Sequence, residues 1–314
     1  MRTLGELESL SPEFDELVPS DAKPEILTEG LVWSEGPVWV KEGGYLLFSD
    51  IPPNMVYKWK EGEGRTEYLT PSGYTGETPR GGEQGSNALV IDPEGRLVLC
   101  QHGDRRMARM DAPLDAPAPE FVTLADSYEG KRFNSPNDCV YRSDGDLFFT
   151  DPPYGFEKND KDPAKELDFQ GVYRLTKDGG LILQTDGLSR PNGLAFSPDE
   201  KTFYVGNSDP EHAVWKAYDL DGEGNAANGR VFFDSTSWVP DNKGLPDGFK
   251  LDKDGNMFAT GPGGVIVLDP EANHLGTIRF PVAISNCAWG EDGSTLFITA
   301  HMHLVRIRLN TVGA

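Results

Sequence analysis

Six positions carry a small oxygen-bearing side chain at the same point of a recurring pattern: Glu35, Asn87, Asn137, Asn192, Asp247 and Asn286. They stand in Ser34-Glu35-Gly36-Pro37, Gly85-Ser86-Asn87-Ala88, Ser135-Pro136-Asn137-Asp138, Arg190-Pro191-Asn192-Gly193, Leu245-Pro246-Asp247-Gly248 and Ile284-Ser285-Asn286-Cys287. Brought to one point, such a set offers hard oxygens and two negative charges. That suits Ca2+, which takes about six to eight oxygen ligands. Zinc favours Cys and His, and the His here do not cluster in sequence; Zn2+, Mg2+ and Mn2+ stay open as other divalent occupants. A second set follows in the same register: Asp50, His102, Asp151, Asn207 and His301. His102 and His301 fall at matching places, Cys100-Gln101-His102 and Thr299-Ala300-His301, and are candidates for proton transfer or substrate contact. Asn and Asp beside Gly or Pro also fix turns. Six coincident positions point instead to a shared site, with Asn87 and Asn286 the members expected to orient water or backbone.

The elements that must position these residues repeat with them. The key residues are about 50 to 55 positions apart, with a shorter last step, a spacing of propeller blades rather than helical solenoids. Each opens an apolar run, as in Ala88–Ile91 or Leu194–Phe196. A turn rich in Asp and Gly follows, such as Asp92-Pro93-Glu94-Gly95 or Asp252-Lys253-Asp254-Gly255. A second and a third apolar run come next. Six four-stranded units must close on themselves to avoid exposed sheet edges. The expected fold is therefore all-β: one six-bladed β-propeller domain over 1–314, with four-stranded antiparallel blades. The last unit has only three strand candidates, so residues 24–28 are expected to complete it. Residues 1–23 form an N-terminal arm in which Ser11 caps a single helical turn with Pro12 at its start. Gly73–Gly82 and Gly155–Phe169 read as loops.

The formal net charge of −22 argues against a nucleic-acid partner and favours cations. No apolar run is long enough to span a membrane. The first twenty residues lack an apolar signal segment, so the expectation is a soluble protein, cytoplasmic or periplasmic, with oligomeric state open. Three widely spaced cysteines, Cys100, Cys139 and Cys287, fit buried reduced thiols rather than disulfides or a zinc site.

The chain resembles the SMP-30/gluconolactonase/luciferin-regenerating-enzyme family of calcium-binding six-bladed propellers, most closely its bacterial gluconolactonases, from about residue 25 onward. The likeness is carried by Ser34-Glu35-Gly36-Pro37-Val38-Trp39, Arg132-Phe133-Asn134-Ser135-Pro136-Asn137-Asp138, Thr150-Asp151-Pro152-Pro153-Tyr154-Gly155, Asp168-Phe169-Gln170-Gly171-Val172-Tyr173-Arg174, Arg190-Pro191-Asn192-Gly193-Leu194 and Pro246-Asp247-Gly248. The resemblance implies that Glu35, Asn192 and Asp247 bind a catalytic Ca2+. Asn137 is then a fourth ligand or a water-mediated substrate contact, and Asp247 is the general base. It also places His301 near the substrate; by repeat position His102 joins His301 as a catalytic candidate, and Asn87, Asn137 and Arg132 are the candidate contacts to a small lactone substrate. Two departures stand out. The animal lactonases carry an Arg two residues before the third-blade Asn, where this chain has Ser135, and Arg132 lies further upstream. The related squid-type phosphatase builds a second calcium site with an acid at the position of Lys250.

These readings converge on a metal-dependent lactonase, a carboxylic ester hydrolase in which Ca2+ polarises the carbonyl and Asp247 takes a proton from water. Two alternatives stay open: a phosphotriesterase like diisopropylfluorophosphatase at the same calcium, and a calcium-stabilised propeller that only binds.

Overall fold

The computed structural model describes residues 2–78 and 80–314; Met1 of the expected arm and Pro79 of the expected 73–82 loop lie outside the described residues. The fold is an all-β, six-bladed β-propeller with antiparallel blades. Blade 1 consists of Ser34–Val40, Tyr45–Asp50, Met55–Lys60 and Gly64–Leu69. Blade 2 consists of Ser86–Ile91, Leu97–Gln101, Arg106–Met110 and Phe121–Ala125. Blade 3 consists of Cys139–Tyr141, Leu147–Asp151, Gly171–Leu175 and Leu181–Thr185. Blade 4 uses Pro191–Phe196, Thr202–Asp209, His212–Leu220 and Ala226–Asp234. Blade 5 uses Phe249–Leu251, Met257–Gly261, Gly264–Leu268 and His274–Arg279. Blade 6 takes Asn286–Gly290, Thr295–Ala300 and His303–Arg308 from the end of the chain and Glu25–Glu29 from its beginning. Glu25 faces Arg306 in that pairing, and the two side chains form an ion pair at 2.9 Å.

The hairpins follow from aspartates that satisfy the turn backbone. Asp92 Oδ1 accepts from the N–H groups of Glu94 (3.0 Å) and Arg96 (2.8 Å). Asp252 Oδ1 does the same for Asp254 (3.0 Å) and Asn256 (2.8 Å). Gly95 and Gly255 then take φ of 79° and 88°, a region that L side chains avoid. The second strands Tyr45–Asp50, Leu97–Gln101, Leu147–Asp151, Met257–Gly261 and Thr295–Ala300 are buried along their length. This is why they read as continuous apolar runs rather than alternating ones.

The N-terminal arm does more than the sequence suggests. Glu6–Ser9 pairs with His274–Arg279 as a fifth strand of blade 5, a strand that its single apolar residue, Leu7, does not announce. The helix Pro12–Leu17 is capped by Ser11, whose hydroxyl accepts from Phe14 N. It buries Phe14 against Gly276, where any side chain would strike the Phe14 ring.

The chain divides into two compact units, residues 1–44 with Gly193–Ala314, and Tyr45–Asn192. The first contains two apolar clusters: one joins Phe14, Phe258, Ile278, Cys287 and Ile298, and the other joins Trp215, Phe249, Met257 and Ile266. The second is cored by Cys100, Phe133, Cys139, Phe149 and Tyr173. There Phe133, Phe149 and Tyr173 pack with ring centroids 5.1–5.3 Å apart. All three cysteines are buried free thiols. Among the described residues no helix is long and apolar enough to cross a membrane.

Candidate metal and catalytic site

Each of the six repeat positions lies in the first strand of its blade or within two residues of it. Buried hydrogen bonds, mostly from hydroxyls, set their backbones. In the 45–192 unit, Ser49 Oγ donates to Asn87 O (2.7 Å), Thr150 Oγ1 to Asn192 O (2.8 Å) and Ala88 N to Asn137 O (2.9 Å). In the other unit, Thr260 Oγ1 donates to Ser285 O (3.0 Å), Gly248 N to the same oxygen (2.8 Å), and Ser285 Oγ to Ser34 O (2.7 Å). Each such bond contributes about 1 kcal/mol net, and together they hold the key residues on rigid strand ends.

The unit that contains Glu35 holds its carboxylate firmly. Glu35 is 2% exposed. Its Oε2 accepts from Gly36 N at 2.6 Å and from Asn286 Nδ2 at 3.2 Å. Asn286 Oδ1 in turn accepts from Cys287 N at 2.8 Å, so both ends of that amide are engaged. Asp247 is half-buried, with its backbone N–H on Thr260 O (3.1 Å). Gly193 packs on the Asp247 carbonyl and Gly248 on the Asn286 amide, in both cases too closely for a Cβ. His301 O accepts from Ser34 N (2.9 Å) and Ser34 Oγ (2.8 Å), and the His301 ring meets the Trp33 ring edge-on at 5.2 Å. This unit therefore brings Glu35, Asn286 and His301 into one neighbourhood and ties the Asp247–Gly248 backbone to it.

The 45–192 unit presents amide oxygens instead. Asn87, Asn137 and Asn192 are 3%, 2% and 4% exposed. The Oδ1 of each is buried without a hydrogen-bond donor. Leaving an amide oxygen in that state costs on the order of 1–3 kcal/mol, a cost that a cation or bound water removes. Asn137 Nδ2 lies 3.5 Å from His102 Nε2. His102 is fully buried, and its Nδ1 lies 3.3 Å from Glu83 Oε2, an ion-pair distance without hydrogen-bond alignment. Glu83 sits in a loop outside the repeat, so its register gives no signal for it.

Asp151 serves the same unit as an anchor. Its two oxygens accept from Asn134 N (2.8 Å) and Ser135 N (2.7 Å), fixing the segment that leads to Asn137. Burial pushes its carboxyl up to about 7, against the opposing pull of those two N–H groups. Ser135 Oγ donates to Pro152 O (2.6 Å) and accepts from Gly155 N (2.9 Å). Gly155 packs on both Ser135 and His102, too closely for a Cβ at position 155. Arg132 is exposed; its guanidinium donates to Asp104 O (2.6 Å), and its backbone N–H donates to Glu166 (2.9 Å).

Among the described residues no three His, Cys, Asp or Glu side chains gather at metal-ligand range. In the 45–192 unit a cation would therefore draw on amide oxygens, as Asn137 and Asn192 offer them. That donor chemistry fits a hard ion of the calcium kind.

Residues 33–302 match the family model described as the SMP-30/Gluconolactonase/LRE-like region. A gluconolactonase of Zymomonas mobilis is 41% identical over 317 residues, covering 99% of this chain and 88% of that protein. A regucalcin of Xenopus laevis is 26% identical over 281 residues, covering 88% and 85%. The structure of a gluconolactonase from Xanthomonas campestris superposes with a TM-score of 0.82 at 31% identity, covering 98% of each chain. A luciferin-regenerating enzyme, 18% identical with a TM-score of 0.75 over 93% and 97% of the two chains, shares the fold. The chain belongs to the SMP-30/gluconolactonase/LRE-like family.

Proposed function

We propose that the protein is a calcium-dependent lactone hydrolase in which Glu35, Asn137, Asn192 and Asp247 supply ligands to one Ca2+ and Asp247 accepts the proton of the attacking water. The lactone follows from the gluconolactonases that match nearly the whole chain. The observation that carries the metal is the set of buried asparagine oxygens without donors at equivalent places of the repeat.

When bound, the ion supplies Lewis-acid polarisation of the lactone carbonyl. The chain's own residues do the rest. Asn286 and Gly36 N fix the direction of the Glu35 carboxylate. Asp247 is held by its backbone N–H on Thr260 O and by the bond from Gly248 N to Ser285 O, so its carboxylate starts from a rigid point. Ligation lowers a carboxylate's basicity, which makes Asp247 a modest base and leaves most of the acceleration to stabilisation of the developing oxyanion. In this reading His301 hydrogen-bonds the substrate's leaving oxygen, and Asn87 contacts substrate or its water. Arg132, exposed and engaged with Asp104 O, makes at most a peripheral substrate contact.

The test is proton release from a panel of sugar and aliphatic lactones, with and without chelator. Hydrolysis that stops in chelator and returns with calcium supports the reading. Hydrolysis that persists in metal-free protein rejects the metal, and no hydrolysis of any lactone rejects the enzyme.

A further inference from the structure

The segment around Glu83 is fixed against the turn that carries His102. Asp104 N donates to Gly73 O (3.0 Å), and Thr75 binds the Asp104 carboxylate through its N–H (3.1 Å) and hydroxyl (2.7 Å). The Arg80 guanidinium donates to Gly103 O (2.8 Å) and to Gly155 O, and Gly85 N donates to Ile51 O (2.9 Å). Glu83 lies between these anchors. Its side chain is 36% exposed, whereas that of His102 is 0% exposed. One ring nitrogen of a fully buried imidazole is thus offered a carboxylate and the other an asparagine amide.

Only one proton arrangement satisfies this row. A lone pair on His102 Nδ1 would face the Glu83 carboxylate at 3.3 Å, setting two electron-rich groups against each other. A proton on Nδ1 turns the contact attractive and leaves Nε2 as an acceptor. Nε2 then calls for the donor end of the Asn137 amide, which is the end found there at 3.5 Å. The Asn137 oxygen is thereby turned away from the ring and stays without a donor. In the other tautomer the amide would reverse, presenting N–H groups where a cation needs an oxygen.

Resting on the calcium reading above, we infer that Glu83 and His102 are positioning residues of the metal site: Glu83 holds His102 as the Nδ1–H tautomer, and His102 Nε2 fixes the Asn137 amide with its oxygen available as a ligand. Here a carboxylate–histidine pair orients an amide ligand rather than making the histidine itself the ligand. Outer partners of this kind are worth about 10–100-fold in metal affinity.

The tautomer is read directly by imidazole nitrogen NMR on 15N-His-labelled, calcium-free protein, with the His102 signals assigned by their loss in His102→Phe. The expected result is Nδ1–H in the wild type, a mixture in Glu83→Ala, and Nδ1–H again in Glu83→Gln, whose amide oxygen also accepts. Calcium titration by calorimetry should weaken about tenfold in Glu83→Ala and recover in Glu83→Gln. An Nε2–H tautomer in the wild type, or Glu83→Ala with unchanged tautomer and unchanged calcium affinity, overturns the inference. A wild type that shows Nδ1–H yet takes up no calcium rejects the metal reading while upholding the Glu83–His102–Asn137 row. If His102→Phe does not fold, assignment proceeds by the other four histidines, and the Glu83 variants still decide.

Discussion

Asn286 and Asn192 occupy the same place in their blades and are almost equally buried, yet their amides do opposite things. Asn286 spends both ends inside the protein, on Glu35 and on the next backbone N–H. Asn192 keeps a buried oxygen with no donor, as do Asn87 and Asn137 in the same unit. One kind of repeat position builds the support of a site, and the other leaves chemistry available to a ligand. Equivalence in the repeat fixes where a side chain starts, while its neighbours decide what remains of it for function.

The sharpest attempt to break this division is Asp247→Asn. It should keep the fold, read by circular dichroism, and lower lactone hydrolysis by about a thousandfold, the scale of a lost general base. Full activity in that variant removes Asp247 from the chemistry. Next in size, Glu35→Gln keeps the shape and removes one of the two charges. Calcium affinity should fall by about a hundredfold, the upper end of what an outer partner contributes.

The buried acid of the 45–192 unit can be probed by pH. The native Asp151 carboxyl, at about 7, holds a proton that the unfolded chain releases near its ordinary 3.8. Between those values the native state binds more protons, so this contribution to stability is present below about pH 4 and is lost as pH rises toward 7. The slope is at most about 1.4 kcal/mol per pH unit. Urea unfolding from pH 4 to 7 should show a shallower decline in Asp151→Asn than in the wild type. An unchanged slope would mean that the two N–H bonds to Asp151 outweigh burial.

The smallest effect separates the two asparagines themselves. In calcium-free buffer Asn286→Ala should cost about 1–3 kcal/mol, because it breaks two hydrogen bonds and one is to a buried carboxylate. Asn192→Ala should cost less, since it removes an oxygen that had no donor. Saturating calcium should reverse the order, and denaturant melts with and without the ion check it.

Much of this was legible in the sequence, and the rest was hidden for identifiable reasons. The six blades and the closing strand Glu25–Glu29 could be read because turns and apolar runs recur with one period. The Asp and Gly of Asp92–Gly95 and Asp252–Gly255 mark hairpins through their own hydrogen bonds and dihedrals. The strand Glu6–Ser9 escaped notice because it rides on a sheet edge with ion pairs such as Glu8–Arg279 rather than an apolar face. The repeat singled out Glu35, Asp247 and the asparagines as candidates but said nothing of the state of their amides. Asn87, expected to play a lesser part, has an oxygen as buried and donor-free as that of Asn137. Glu83 lies in a loop, so only the folded contact with His102 reveals it.

Calorimetric titration of metal-free protein with calcium, run on the wild type, Asn192→Ala and Asn286→Ala, decides whether the donor-free asparagine oxygens serve a cation. One site per chain is expected in the wild type, with the largest loss of affinity in Asn192→Ala and a loss of about tenfold in Asn286→Ala through Glu35. Calcium binding by Asn192→Ala as tight as by the wild type would contradict that expectation.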